Sequence, residues 1–275
     1  MKKLNYKLIV SDFDGTLINS EQQIPEEVKK AVKHYVSDGG IFAVCSGRML
    51  CSILPRVREL GLKGLVIAYQ GTAIADIETG NIIKFGGMES GDAAEICRNI
   101  EELNHPVNVY SDDVMYTDIP KENEYLKVYE KIVNIDAKHV DGKLSEFVSA
   151  KNLFCQKISV LVAPDEQAEL YAELCNRIGR KYDVTCSASV LVEVSPLSDN
   201  KGEALKFLAE KYGIPMEKTI AVGDNLNDLS MIEAAGLGVA VGNAVQPLKN
   251  AADFVTVTNN EGAVARIIEE FGYIK

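Results

Sequence analysis

Short, unbroken apolar runs alternate with amphipathic stretches along the first part of the chain. Leu8-Ile9-Val10, Ile41-Phe42-Ala43-Val44-Cys45 and Leu65-Val66-Ile67-Ala68 are such runs. A strand covered on both faces of a parallel sheet reads this way. Pro25-Glu26-Glu27 opens a helix that runs toward Tyr35. A proline in the first turn and acids beside the positive helix end both favour that start. Gly39-Gly40 ends it, and a further helix begins from Arg48. Strand alternating with helix predicts an α/β fold built on a doubly wound, Rossmann-like parallel sheet.

The last part repeats the rhythm. Glu203 to Tyr212 reads as a helix stopped by Gly213, and Thr219-Ile220-Ala221-Val222 as a strand that meets Gly223-Asp224. A short helix runs through Ile232 to Ala235 and ends at Gly236. Gly238 to Val241 and Phe254 to Val257 read as strands, and Ala263 to Phe271 as a closing helix.

The middle is different. Strand-like pieces at Val107 to Tyr110, Lys157 to Val162 and Val190 to Val194 are separated by polar helical stretches, Glu89 to Leu103 and Asp165 to Ile178. This pattern predicts a separate α+β domain over residues 85–194, inserted into a core made of residues 1–84 and 195–275. Gly86, Gly87 and Ser195-Pro196 bracket it and are hinge candidates. The length of 275 residues, near the upper limit for one hydrophobic core, suits this two-part plan.

Charge narrows the partners. A net charge of −11 and a pI near 4.9 argue against nucleic acid or an anionic membrane surface. An anionic substrate would need positive charge placed locally. No apolar stretch approaches the ~18 residues of a membrane span. The basic N-terminus leads into an apolar run too short for a signal peptide, so a cytoplasmic location is expected. The six cysteines show no Cys-x-x-Cys spacing, which fits reduced thiols.

Chemistry gathers where strands end. Asp12 and Asp14 follow the first strand, Ser46-Gly47-Arg48 the second, and Gly223-Asp224-Asn225-Leu226-Asn227-Asp228 a late one, while Lys201-Gly202 opens a helix. Each group alone has a plainer role. Asp12 and Asp14 can cap a turn, Ser46-Gly47 can be a turn, Lys201 a solvated helix start, and Asp224 with Asp228 a charged helix N-terminus. In one parallel sheet, however, all four meet at one edge, where α/β proteins bind ligands. Two carboxylates held together need a cation or a proton between them. Asp12, Asp224 and the main-chain oxygen of Asp14 form an all-oxygen half-shell suited to Mg²⁺. Lys201 adds a point charge, and Ser46, the Gly47 amide and Asn227 offer donors to a phosphoryl group. Asp12 is placed to attack phosphorus, and Asp14 to protonate the leaving oxygen and then activate water.

Taken together these motifs resemble the haloacid dehalogenase superfamily, and within it the Cof-type sugar-phosphatase-like branch. Asp12-Phe13-Asp14-Gly15-Thr16 matches the first motif, Ser46 the second, Lys201-Gly202 the third and Gly223 to Asp228 the fourth. Gly242-Asn243-Ala244 resembles a further segment of that branch. The resemblance implies Asp12 and Asp14 as the catalytic pair and Asp12, Asp14 and Asp224 around Mg²⁺. Phe13, Ser46, Gly47, Lys201 and Asn227 would surround the phosphate, with Asp228 as a supporting residue. It also implies that the insertion is a cap that selects the substrate, with His105, Tyr110, Asp112, Asp113, Tyr116 and Glu193 as candidates there. The expected activity is Mg²⁺-dependent hydrolysis of small phosphate monoesters, sugar phosphates first among them. A phosphomutase and a non-catalytic phosphosugar-binding protein are the alternatives.

Overall fold

The computed structural model describes residues 3–274. The first five strands are β1 (Leu8–Asp12), β2 (Ile41–Cys45), β3 (Leu65–Ala68), β4 (Ala73–Asp76) and β5 (Ile82–Phe85). Helices α1 (Glu26–Ser37) and α2 (Leu50–Glu59) connect the first three of them. The middle of the chain supplies β6 (Asn108–Ser111), β7 (Val114–Thr117), β8 (Lys138–His139), β9 (Lys157–Leu161), β10 (Tyr182–Ala188) and β11 (Leu191–Pro196). Its helices are α3 (Ser90–Glu102), α4 (Glu124–Val133), α5 (Leu144–Lys151) and α6 (Gln167–Ile178). The last part adds β12 (Thr219–Gly223), β13 (Leu237–Ala240) and β14 (Phe254–Val255), with α7 (Lys201–Lys211), α8 (Leu229–Ala234), α9 (Gln246–Ala251) and α10 (Ala263–Phe271).

Two sheets result. The large one has the order β14-β13-β12-β1-β2-β3-β4-β5, and the smaller one β10-β11-β9-β6-β7-β8. From β14 to β3 the large sheet is parallel. Its sequence order reverses between β1 and β12, so the switch point of this Rossmann-like sheet lies between them. The register sets Ser11 beside Val222 and Asp12 beside Cys45. Asp12, Asp224 and Ser46 therefore leave neighbouring strands at one edge.

Two features differ from the sequence expectation. First, β4 and β5 extend the sheet in antiparallel fashion. Only a tight left-handed turn through Tyr69, Gln70 and Gly71 (φ 51°, 60° and 110°) links β3 to β4. A parallel return needs a crossover of about a dozen residues, which this link lacks. Second, Phe85 pairs with Ala73 in the large sheet, whereas Ser195 and Pro196 pair with Asp183 and Tyr182 in the small one. The two chain crossings thus fall at Gly86-Gly87 and just after Pro196. The small sheet is antiparallel apart from the short β7–β8 pairing.

Each sheet carries its own buried cluster. One centres on Leu8, Val10, Val44, Ile67 and Val222, the other on Ile96, Val109, Ile158, Leu174 and Val194. Tyr110, Met115, Leu126 and Leu191 from the inserted region pack with the first. Apolar contact therefore continues across the seam between the two parts.

Candidate active site

β1 ends at Asp12, and the chain turns at once through Phe13–Leu17. Gly15 makes that turn with φ +73°, and a Cβ there would stand 2.5 Å from Asp224 Oδ2. Only glycine allows the two strand ends to approach this closely. Thr16 Oγ1 closes the contact by donating to Asp224 Oδ1 at 3.0 Å.

Lys201 enters from the first turn of α7 and is fully buried. Its ammonium donates to Asp12 Oδ1 at 2.5 Å and to Asp228 Oδ1 at 2.6 Å. Asp228 Oδ2 in turn accepts from the backbone amides of Asp224 (2.8 Å) and Asn225 (3.1 Å). Asp228 thus has both oxygens committed to protein donors, holding Lys201 on one side and the Asp224 loop on the other. One carboxylate oxygen from each of Asp12, Asp224 and Asp228 lies within 4.8 Å of the others.

Three carboxylates face one ammonium in a buried place, so the site carries excess negative charge. Burial pushes the Asp12 carboxyl well above its usual range; Lys201 pulls it down, and Asp228 and Asp224 push it further up. Burial and Asp228 raise Asp224 to about 7. Burial works against the Lys201 ammonium, but Asp12 and Asp228 hold it well above the ordinary lysine value. The three carboxylates could hold a divalent cation, which would balance that charge. Their donors are hard oxygens, the set that suits Mg²⁺ and gives softer metals no thiolate or imidazole.

The carboxylate of Asp14 stands outside this trio. Arg48 grips it through Nε (2.8 Å) and Nη2 (2.6 Å), a two-point pairing that fixes its plane. The third guanidinium nitrogen donates to the carbonyl oxygen of Ile132 on α4, at 2.9 Å. The same guanidinium lies 5.2 Å from the ring centre of Phe13. Sequence reasoning placed Arg48 in a motif and gave it no role; its contacts become visible only when α4 is brought over the strand ends.

Ser46 Oγ accepts the Arg48 amide at 3.1 Å. A Cβ on Gly47 would come within 2.3 Å of Gln70 Nε2, so this loop packs without side-chain clearance. Asn227 donates to Gln70 Oε1 at 3.0 Å, and Gln70 donates to Glu193 Oε2 at 2.6 Å. Glu193 pairs with Lys157, and Lys157 donates to the Gly47 carbonyl at 2.8 Å. Both charges are almost fully buried. This chain of contacts ties the loop after β2 and the loop after β12 to the small sheet. Gln70 and Lys157 were missed because neither lies in a motif; the left-handed turn at Gln70 was the one local signal available.

Asp12, Asp14, Gly47, Arg48 and Asn227 line one end of a cleft of about 560 Å³. Gln22, Lys157 and residues of α4, β10, β11 and the turn between these two strands form the rest of its wall. Of the six candidates in the inserted region, Glu193 reaches the cleft. Tyr110 is buried with its ring 4.5 Å from the Lys157 ammonium. Asp113 accepts from the Tyr69 hydroxyl (2.5 Å) and the Cys51 amide (3.1 Å), and so fastens the β6–β7 turn to the large domain. Asp112 occupies that same turn with φ 49°. Tyr116 packs on Phe147, and His105 borders a separate surface depression beside Glu169 and Glu173. Asn243 donates to the Gly15 carbonyl at 2.8 Å, and so braces the turn after Asp12.

Residues 9–268 match the sequence profile of haloacid dehalogenase-like hydrolases. The phosphatase YwpJ of Bacillus subtilis is 33% identical to the chain, over 96% of this chain and 99% of its own. The crystal structure of TM0651 from Thermotoga maritima superposes with a TM-score of 0.78 at 34% identity, covering 98% of each chain. A haloacid dehalogenase-like hydrolase from B. subtilis superposes with a TM-score of 0.83 at 30% identity, covering 96% of this chain and 99% of that one. Among the described residues no helix is long and apolar enough to cross a membrane. With the profile spanning almost the whole chain and the four polar strand and helix ends converging on one buried site, the protein belongs to the haloacid dehalogenase-like hydrolases, in their Cof-type branch, and is a phosphoric monoester hydrolase.

Proposed function

We propose that the protein hydrolyses small phosphate monoesters through an aspartyl-phosphate on Asp12, in a Mg²⁺-dependent manner. The observation that carries this is the placement of Lys201 between Asp12 and Asp228, with Asp224 alongside. Lys201 fixes the Asp12 carboxylate through Oδ1, which leaves Oδ2 for attack on phosphorus. Asp12, Asp224 and the main-chain oxygen of Asp14 would hold Mg²⁺, which supplies charge neutralisation for the phosphoryl group. Ser46, Gly47, Asn227 and the backbone beside Phe13 would take the phosphoryl oxygens.

Asp14 serves as the acid and base. It borders the same cleft as Asp12. It protonates the departing oxygen and then takes the proton of the water that cleaves the aspartyl-phosphate. Arg48 positions its carboxylate form by the two-point grip, and one oxygen must leave Arg48 to carry the proton that the departing oxygen takes. The inserted region, residues 85–194 by sequence, acts as a cap that covers the leaving group and excludes water. Hydrolysis is favoured over phosphomutase and pure binding roles because a relative over nearly its full length is named a phosphatase.

The test is phosphate release from a panel of sugar phosphates and other monoesters, with Mg²⁺ and with chelator, using D12N as control. Release that needs Mg²⁺ and is lost in D12N is the expected result. Full activity of D12N would overturn the covalent route, and full activity in chelator would overturn the metal assignment.

A further inference from the structure

Helix α4 presents Tyr125, Val128, Tyr129 and Ile132 to the cleft. Their spacing, i, i+3, i+4 and i+7, is one face of a helix. Leu126 and Val133 lie on the adjoining face and are buried, Val133 at the edge of the same cleft. An amphipathic helix ordinarily turns its wide apolar stripe to a core. Here Tyr125, Val128 and Ile132 remain 41%, 56% and 44% exposed, and face an open space. Val190, in the β10–β11 turn, and Leu191, the first residue of β11, line the wall of the same space.

The position of this stripe names its occupant. The carbonyl of Ile132 accepts from Arg48, and the same guanidinium holds Asp14. The apolar wall therefore begins one side chain away from the proposed acid–base group, where the alcohol part of a phosphate ester would emerge. Of the charged groups of the cleft, Glu124 at the start of α4 already pairs with Lys127, and the others lie toward the carboxylate end; Gln22 and Ser187 add two neutral polar groups to the lining. Lys157 and Glu193, the charged pair of the small sheet that borders the cleft, already satisfy each other, Gly47 and Gln70. The hydroxyl of Tyr129 already meets that of Tyr110 at 2.9 Å. Hydroxyls of a hexose placed against this wall would exchange water for few partners, and unpaired buried polar groups are costly. A flat ring of low polarity would instead cover the stripe and leave nothing unpaired.

Given the phosphatase chemistry proposed above, on which this depends, we infer that the substrate is a phosphate monoester whose alcohol carries an aromatic or heteroaromatic ring. The ring lies between α4 and the β10–β11 turn, and the phosphate reaches Asp12.

The test compares kcat/KM for phenyl phosphate and pyridoxal 5′-phosphate with that for glucose 6-phosphate and fructose 6-phosphate, in the full-length protein with Mg²⁺. The better ring-bearing ester should exceed both hexose phosphates by about tenfold or more, the scale on which apolar pockets discriminate. V128N and I132N change half-exposed positions, so folding should persist, and both should shrink that ratio. The ratio is taken within each protein, so a general loss of active molecules cancels. Hexose phosphates equal to or better than ring esters, with release still dependent on Mg²⁺ and Asp12, would overturn the substrate class and leave the phosphatase intact. No release from any ester would overturn both. An unchanged ratio in both variants, with a dimer of wild-type chains that V128N dissolves, would assign the stripe to a second copy of the chain instead.

Discussion

At the scale of single residues, the site is an arrangement of charge that does not balance by itself. Among the described residues, Lys201 is the one ammonium bonded to the carboxylates of Asp12 and Asp228. Replacing it by methionine leaves those carboxylates buried and uncompensated. K201M is expected to abolish turnover and to lose about 3 kcal/mol or more of stability by urea denaturation, the scale of a broken buried ion pair. Wild-type stability in K201M would contradict the geometry. Asp224 gives a pH dependence of definite sign. Its pKa is raised to about 7 from an ordinary 3.8. The folded metal-free protein therefore holds this proton more tightly than the unfolded chain does. Its contribution to stability is present in acid and is lost as pH rises through about 7. Mg²⁺ requires the carboxylate form, so the rise in Tm on adding Mg²⁺ should be larger at pH 8 than at pH 6. An equal or reversed effect would argue against Asp224 as a ligand. Arg48 carries a third expectation. R48K keeps one charge but cannot grip both Asp14 oxygens and the Ile132 carbonyl. It should slow turnover of esters with poor leaving groups by about a hundredfold, the lower end of the range for acid–base assistance. Phenyl esters activated by nitro groups should be affected less.

At the scale of elements, the sequence was most legible where burial is symmetric. Ile41–Cys45, Leu65–Ala68 and Ala263–Phe271 fall where the apolar pattern puts them. Strands flanked on both faces need unbroken apolar runs, and an amphipathic helix needs its period. Elements that depend on neighbours were harder to read. β10 contains Asp183, Thr185 and Ser187, and is a strand because it pairs with β11 along its length. Helix α4 has clear local signals: Asn123 accepts the Leu126 amide at 3.0 Å, and Asn134 ends it with φ 54°. Leu126 goes to the core, but Tyr125, Val128 and Ile132 meet a cleft, and no periodicity specifies that destination. The turn after β1 is an element-scale test. G15A would place a Cβ against Asp224 in a left-handed conformation. It should cost about 1–2 kcal/mol from backbone strain alone, and should weaken Mg²⁺ binding measured by calorimetry. Unchanged metal affinity would mean that the two strand ends do not cooperate.

At the scale of the whole molecule, two sheets share one reaction space. The motif residues belong to the large sheet and its following loops. The contacts that join the parts, Asp113 with Tyr69, Lys157 with Gly47 and Arg48 with Ile132, pair residues far apart in sequence. The sequence therefore disclosed the carboxylates and the lysine, because their chemistry demands fixed residue types at strand ends. It did not disclose the network that holds the cap over them, because buried polar contacts across a seam follow from the fold and leave no local pattern. The same division explains why the reaction type was readable and the shape of the substrate space was not.

The central claim is a phosphoryl group carried by Asp12. The most direct measurement is mass spectrometry of acid-quenched protein after brief mixing with phenyl phosphate and Mg²⁺, in wild type, D12N and D14N. A phosphoryl group should appear on the peptide that contains Asp12. It should accumulate most in D14N, where water is not activated, and be absent in D12N. Turnover in wild type with no phosphorylated peptide in any quenched sample, together with phosphate release by D12N at the wild-type rate, would contradict the account.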